Sequence, residues 1–270
     1  MSIEWNYMID LRPSWVNTAQ AANWEVAVRA EIFKIASSDA GKALLRSLKW
    51  HGKWIVITHY NPTAADPLNA YTFEKLGAAR DGRAYAALIE FSPHTYYPRV
   101  RHIPASPNGD QPDEVLYHEL VHAFRRSSSK RNRVGSAGGL IDYDSNEEFY
   151  AILATNIYIS DLTNRRKTGL LRDHKFGANP LEAALAGSFE FFRSSTNAFA
   201  MVDQFVKDNP GFSGAMAKVN ALFNPLAAYF ADKPKAQRES QSATAMIRDL
   251  TGWAQAMGLV AQGSLSRVTH

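Results

Sequence analysis

Residues 112–126 read Pro112-Asp113-Glu114-Val115-Leu116-Tyr117-His118-Glu119-Leu120-Val121-His122-Ala123-Phe124-Arg125-Arg126, and the rest of the chain is best understood from this stretch. A proline suits the first turn of a helix, where its missing N–H costs nothing. Asp113 and Glu114 complement the positive end of such a helix, and Arg125 and Arg126 its negative end. With Asp110 as the expected N-cap, the pattern predicts a helix from Pro112 to about Arg126. Val115, Leu116, Leu120, Val121 and Phe124 give it an apolar surround. On that helix His118 and His122 lie one turn apart on the same face, so their imidazoles can converge on one ion. Glu119 follows the first histidine directly, which sets its carboxylate on the flank of that face, near the ion without ligating it. This is the arrangement needed to hold Zn²⁺ and to deprotonate its bound water.

Zinc sites of this kind take three protein ligands and leave one position for water. The chain has no cysteine, which excludes thiolate ligands, disulfides and a Cys nucleophile, so any metal must be held by His, Asp or Glu. The third ligand is expected from Ser145-Asn146-Glu147-Glu148-Phe149-Tyr150-Ala151, which opens a second helix predicted to run to about Asp161. Glu148-Phe149-Tyr150-Ala151 has the Glu-x-x-Ala form of the gluzincin pattern, in which small residues let the two helices approach. Glu148 is therefore the expected ligand, with Glu147 as the alternative and Asp142 and Asp144 behind it. Ser145-x-x-Glu148 is also a capping box, in which Glu148 would turn to the helix backbone instead. An oxyanion donor is expected beside the metal, and Tyr143 and His174 are the candidates. Tyr117 is expected to pack against a neighbouring strand.

Upstream, Thr18 to Lys49 is helical, with Trp24, Val26, Val28, Ile32 and Ile35 recurring at mixed three- and four-residue steps and a cap signal at Ser37-Ser38-Asp39. Lys53 to Tyr60 is β-branched and aromatic and reads as a strand closed by Asn61-Pro62. Residues 61–82 form an excursion that returns to a second strand at Ala84–Phe91. From Pro180 onward the chain reads as all helix, broken at Asn209-Pro210-Gly211 and around Lys233-Pro234, with its many phenylalanines as packing core. Strands that precede helices suggest an α+β architecture. The expectation is a zincin-like core, a small sheet plus the HExxH helix, over residues 1–177. An all-helical C-terminal part, 178–270, packs on it.

A hydrophobic fraction of 46% over 270 residues is enough for a sizeable core, and 21% charge with 6 Trp argues against disorder. Met1 to Asp10 lacks the basic start and apolar run of a Sec signal. No stretch approaches the ~18 apolar residues of a membrane span. The net charge is +4, and Arg125, Arg126, Lys130, Arg131 and Arg133 cluster without an intervening acid. That cluster reads as a solvated loop or as a patch that steers an acidic substrate segment. It lacks the interleaved aromatics of a nucleic-acid surface.

Taken together, His118–Ala123, the upstream strand ending Ile89-Glu90-Phe91-Ser92-Pro93 and the Glu147-Glu148 pair resemble the NleD-type zinc metallopeptidases. These are effectors delivered by bacterial type III secretion. The order of the helix Gly41–Leu48 and the strand Trp54–Tyr60 fits as well, so the resemblance covers roughly residues 25–162. It implies a zinc endopeptidase that acts inside a host cell on a polypeptide, with His118 and His122 as ligands and Glu119 as base. Phe149-Tyr150 depart from the Arg and Thr more common after the Glu pair, and look closer to lethal-factor-like proteases. The competing readings are a zinc hydrolase of a non-peptide substrate and a non-catalytic metal-binding interaction protein.

Overall fold

The computed structural model describes residues 7–13, 18–60, 70–74, 84–93, 111–128, 145–166, 188–193 and 198–241. The chain is α+β, with a four-stranded sheet and helices packed against it. Strand β1 (Ile9–Arg12) is followed by helices α1 (Thr18–Ser37) and α2 (Asp39–His51), then by β2 (Trp54–Thr58), β3 (Tyr71–Glu74) and β4 (Tyr85–Glu90). Helices α3 (Pro112–Ser127) and α4 (Asn146–Arg166) come next. A 3-10 turn at Glu190–Arg193 precedes α5 (Ala198–Asp208), α6 (Pro210–Met216) and α7 (Pro225–Ala231).

The sheet runs β1-β2-β4-β3, with β1, β2 and β4 parallel and β3 antiparallel to β4. Trp54-Ile55-Val56-Ile57-Thr58 is buried throughout, as a central parallel strand covered on both faces requires. The two expected strands are β2 and β4. Both edge strands, β1 and β3, go beyond the two strands read from the sequence. At four residues each they are too short for period-two alternation to separate them from loop.

Asp110 lies outside the described residues, and Gln111 is the N-cap of α3. Pro112 occupies the first helical position, so the residue directly before it must cap. Glu114 completes that start by accepting the Gln111 N–H at 3.2 Å. The Tyr117 ring stacks on Tyr158 of α4, with centroids 4.3 Å apart.

Helix α4 is buried on every side from Phe149 to Leu162, which makes it the central helix of the fold. Near its C-terminal end Asp161 reaches the start of α2 and accepts N–H groups from Asp39 at 2.9 Å and Ala40 at 3.1 Å. A carboxylate there satisfies orphan donors and opposes the positive helix end. Tyr117 of α3 donates to the carbonyl of Ala40, so both helices that carry the candidate ligands are tied to one turn of α2. Phe205, Phe212 and Leu226 from the C-terminal helices, and Phe223 from the bend before α7, join the same buried cluster as Leu116, Ile157 and Ile57. Among the described residues no helix is long and apolar enough to cross a membrane.

Candidate metal centre

Helix α3 carries His118, His122 and Glu119, all three buried, with Glu119 against the edge strand β3. The imidazole rings stand at 81° to each other with centroids 4.7 Å apart, and their Nε2 atoms approach to 3.1 Å. Helix α4 enters beside them at its first turn. Glu148 places Oε2 3.3 Å from His118 Nε2 and Oε1 3.3 Å from His122 Nε2. The sequence left Glu148 with two competing roles, and features of both are present. The Ser145 hydroxyl accepts the Glu148 N–H at 3.2 Å, while the Glu148 carboxylate turns to the histidines.

His118, His122 and Glu148 are the group of metal-ligating side chains that converge among the described residues, one donor atom each within 4.8 Å of the others. Donor atoms bound to a tetrahedral zinc at about 2.0–2.1 Å stand about 3.3 Å apart. The two Nε2 atoms stand 3.1 Å apart, and each lies 3.3 Å from a different oxygen of Glu148, so every pair is near that spacing while the carboxylate faces both rings. Two imidazole nitrogens and a carboxylate are also the donor set zinc takes where thiolates are absent. The residues present therefore fit a zinc ion.

Glu119 is held from the sheet. The Thr72 hydroxyl on β3 donates to Glu119 Oε2 at 2.6 Å and lies 3.1 Å from the Glu119 carbonyl. Arg126 donates to the Thr72 carbonyl at 2.7 Å and so pins the strand to the helix. Thr72 was not legible as a site residue, because its strand was itself not foreseen.

Glu147 faces the other side of His122, with Oε1 3.5 Å from Nδ1. The Arg125 Nε donates to both its oxygens, at 3.0 and 2.8 Å. Arg125 has no solvent exposure, and its guanidinium lies 4.2 Å from the centre of the Tyr150 ring. The reading of Arg125 and Arg126 as members of a basic surface cluster is thus corrected: one is buried in an ion pair and the other is bonded to β3. Their phase carried the signal, since Arg125 follows His122 by three residues and shares its face. Lys130, Arg131 and Arg133 lie outside the described residues, as do Tyr143, His174, Asp142 and Asp144.

Electrostatics in the centre are dominated by the carboxylates. Burial pushes the His122 imidazole down, but the neighbouring Glu147 and Glu148 carboxylates, with the charge of Glu119, outweigh it and raise its pKa to about 10. Burial opposes ionisation of Glu148 as well. The two histidines reverse that and hold it far below the usual carboxylate range.

An α+β fold that brings two imidazoles and a carboxylate to one point, with a further carboxylate at their flank, defines a candidate mononuclear metal protein. The family model Peptidase_M91, described as an effector protein, matches residues 12–185, and the chain belongs to that family. The match bears out the resemblance to NleD-type metallopeptidases and is wider than the span read from the motifs. No curated protein and no solved structure matches the chain.

Proposed function

We propose that the protein is a zinc-dependent endopeptidase, delivered into a host cell as an effector, that cleaves a host polypeptide. The observation that carries this reading is the convergence of His118 Nε2, His122 Nε2 and the Glu148 carboxylate at zinc-like spacing inside a peptidase family. His118, His122 and Glu148 would hold the metal. Zinc bound there supplies a Lewis acid that lowers the pKa of a coordinated water to about 7. Glu119 accepts the proton from the attacking water and returns it to the departing amine nitrogen. Thr72 holds one oxygen of that carboxylate and leaves the proton transfer to the other. The oxyanion role proposed for Tyr143 and His174 rests on the sequence.

Strand β3 supports a polypeptide substrate over a small molecule. It lies at the edge of the sheet beside Glu119, and no described strand pairs with its outer side. Tyr71 and Phe73 project from it with 38% and 45% exposure. An extended peptide can add to such an edge through main-chain hydrogen bonds.

The test joins metal analysis to cleavage of a quenched fluorescent peptide library by the purified full chain. We expect about one zinc per chain, lost in Glu148→Ala. Glu119→Gln should keep zinc while the cleavage rate falls about 10²–10⁴-fold. Full activity in Glu119→Gln removes the mechanism. A zinc-loaded wild-type protein that hydrolyses only non-peptide esters or amides removes the word peptidase.

A further inference from the structure

The proposed mechanism makes no use of Glu147 or of Arg125, yet both are buried against the metal centre. His122 turns Nε2 toward Glu148, and its Nδ1 faces Glu147 Oε1 at 3.5 Å. An imidazole that ligates through one nitrogen carries its proton on the other. That N–H is almost always oriented by an acceptor, which fixes the ring. Glu147 is the carboxylate the fold supplies on that side. It is fixed in turn by both bonds from Arg125 Nε, whose guanidinium stacks on Tyr150 one turn along α4 from Glu147.

The chain of contacts continues out of the family-matched segment. Asp208, the last residue of α5, places Oδ2 3.8 Å from an Arg125 terminal nitrogen, and Phe205 of the same helix stacks on Tyr150 at 5.1 Å. Both lie beyond residue 185, where the family match ends. Burying a guanidinium and a carboxylate carries a large desolvation cost, and apolar replacements of equal volume are often more stable. A buried charge pair aimed at a ligand's second nitrogen is therefore poorly explained by stability and well explained by the geometry it imposes on that ligand.

We propose that Glu147 is a positioning residue that orients His122 through Nδ1, and that Arg125 and Asp208 clamp Glu147, so that the C-terminal helices set the strength of metal binding. This rests on the reading of His118, His122 and Glu148 as zinc ligands.

The test measures zinc affinity of the full chain by competition with a fluorescent chelator. A parallel set records the visible absorption of the Co²⁺-substituted protein, with circular dichroism as the check on folding. Glu147→Gln should weaken zinc binding about 10–100-fold and shift the Co²⁺ bands, with the far-ultraviolet spectrum unchanged. Asp208→Asn should weaken it by a smaller factor. The double variant should be no worse than Glu147→Gln alone, because Asp208 acts through the same residue. If Glu147→Gln does not fold, Arg125→Lys keeps the buried positive charge but loses the Nε contact to both oxygens, and is expected to show the same loss of affinity. Zinc affinity within twofold of wild type and an unshifted Co²⁺ spectrum in whichever variant folds overturn the proposal. Complete loss of zinc in Glu147→Gln with full retention in Glu148→Gln overturns it too, by making Glu147 a ligand. A wild-type protein that binds no zinc overturns the underlying metal reading, which is a different failure.

Discussion

Replacing Gly41 by alanine should damage the protein far more than its position in a helix suggests. A Cβ at Gly41 would lie 1.8 Å from the carbonyl oxygen of Ile35, 2.6 Å from its carbon and 2.7 Å from the Ser38 hydroxyl, where an ordinary contact begins at 3.4 Å. The obstruction is backbone, so no rotamer change relieves it. That same carbonyl accepts the Ser38 N–H at 3.1 Å, and the Ser38 hydroxyl caps α2 by accepting the Gly41 N–H at 2.8 Å. Opening the turn therefore breaks the cap, worth about 1 kcal/mol, and forces a buried junction apart at about 1–3 kcal/mol. It also moves the N–H groups of Asp39 and Ala40 away from Asp161, at about 1–3 kcal/mol for the acceptor left unpaired. The expected loss is about 3–7 kcal/mol.

For a chain of this size that loss lowers the melting temperature by at least about 6 °C, read by circular dichroism on zinc-loaded and metal-free protein. Asp161 and Tyr117 tie α4 and α3 to this turn, so zinc retention should fall with stability. Gly214→Ala in α6 is the control. A Cβ there meets nothing within 4 Å, and alanine gains about 0.8–1 kcal/mol in helix propensity. A Gly41→Ala protein that melts within about 2 °C of wild type would refute the steric argument.

Two further outcomes follow from the centre itself. Thr72→Val removes the hydroxyl that holds Glu119. A lost hydrogen bond to a charged group is worth about 1.5–3 kcal/mol, so kcat should fall about tenfold or more at unchanged zinc content, and an unchanged kcat refutes the anchoring role. The pKa of His122, raised to about 10, lies above its unfolded value. Its contribution to the stability of the metal-free protein is therefore complete below about pH 6.5 and is lost as the pH rises toward 10. Zinc taken up at pH 6.5 must displace that proton. Calorimetric zinc binding in buffers of different ionisation enthalpy should report about one proton released per chain, and a slope of zero contradicts it.

Much of this centre was legible because its helix repeats every 3.6 residues, and its ligands follow that phase. Pro112, the acidic first turn and the apolar surround placed α3, and the break at Asn209-Pro210-Gly211 falls where α5 ends and α6 begins. The edge strands were not legible. Tyr71-Thr72-Phe73-Glu74 has high β propensity, but four residues become a strand only when a neighbour offers a register, here Tyr71 to Glu90 through Glu74 to Ala87. Thr72 was lost with its strand. Arg125 was misread for a different reason. Its charge suggested solvent, while its phase, three residues after His122, pointed inward. Phase is the stronger guide where a compensating carboxylate waits on the next helix.

Charge balance adds a last argument for a cation at this point. Glu119, Glu147 and Glu148 lie around the two histidines, and Arg125 neutralises Glu147. With both imidazoles neutral, at least two negative charges remain among these largely buried side chains. Protonating both rings would match them, but it would drive two N–H groups together where the Nε2 atoms are 3.1 Å apart. One proton shared between the rings leaves a carboxylate unbalanced. A divalent cation satisfies the charge and the geometry together, since it accepts both nitrogens and the Glu148 carboxylate at once.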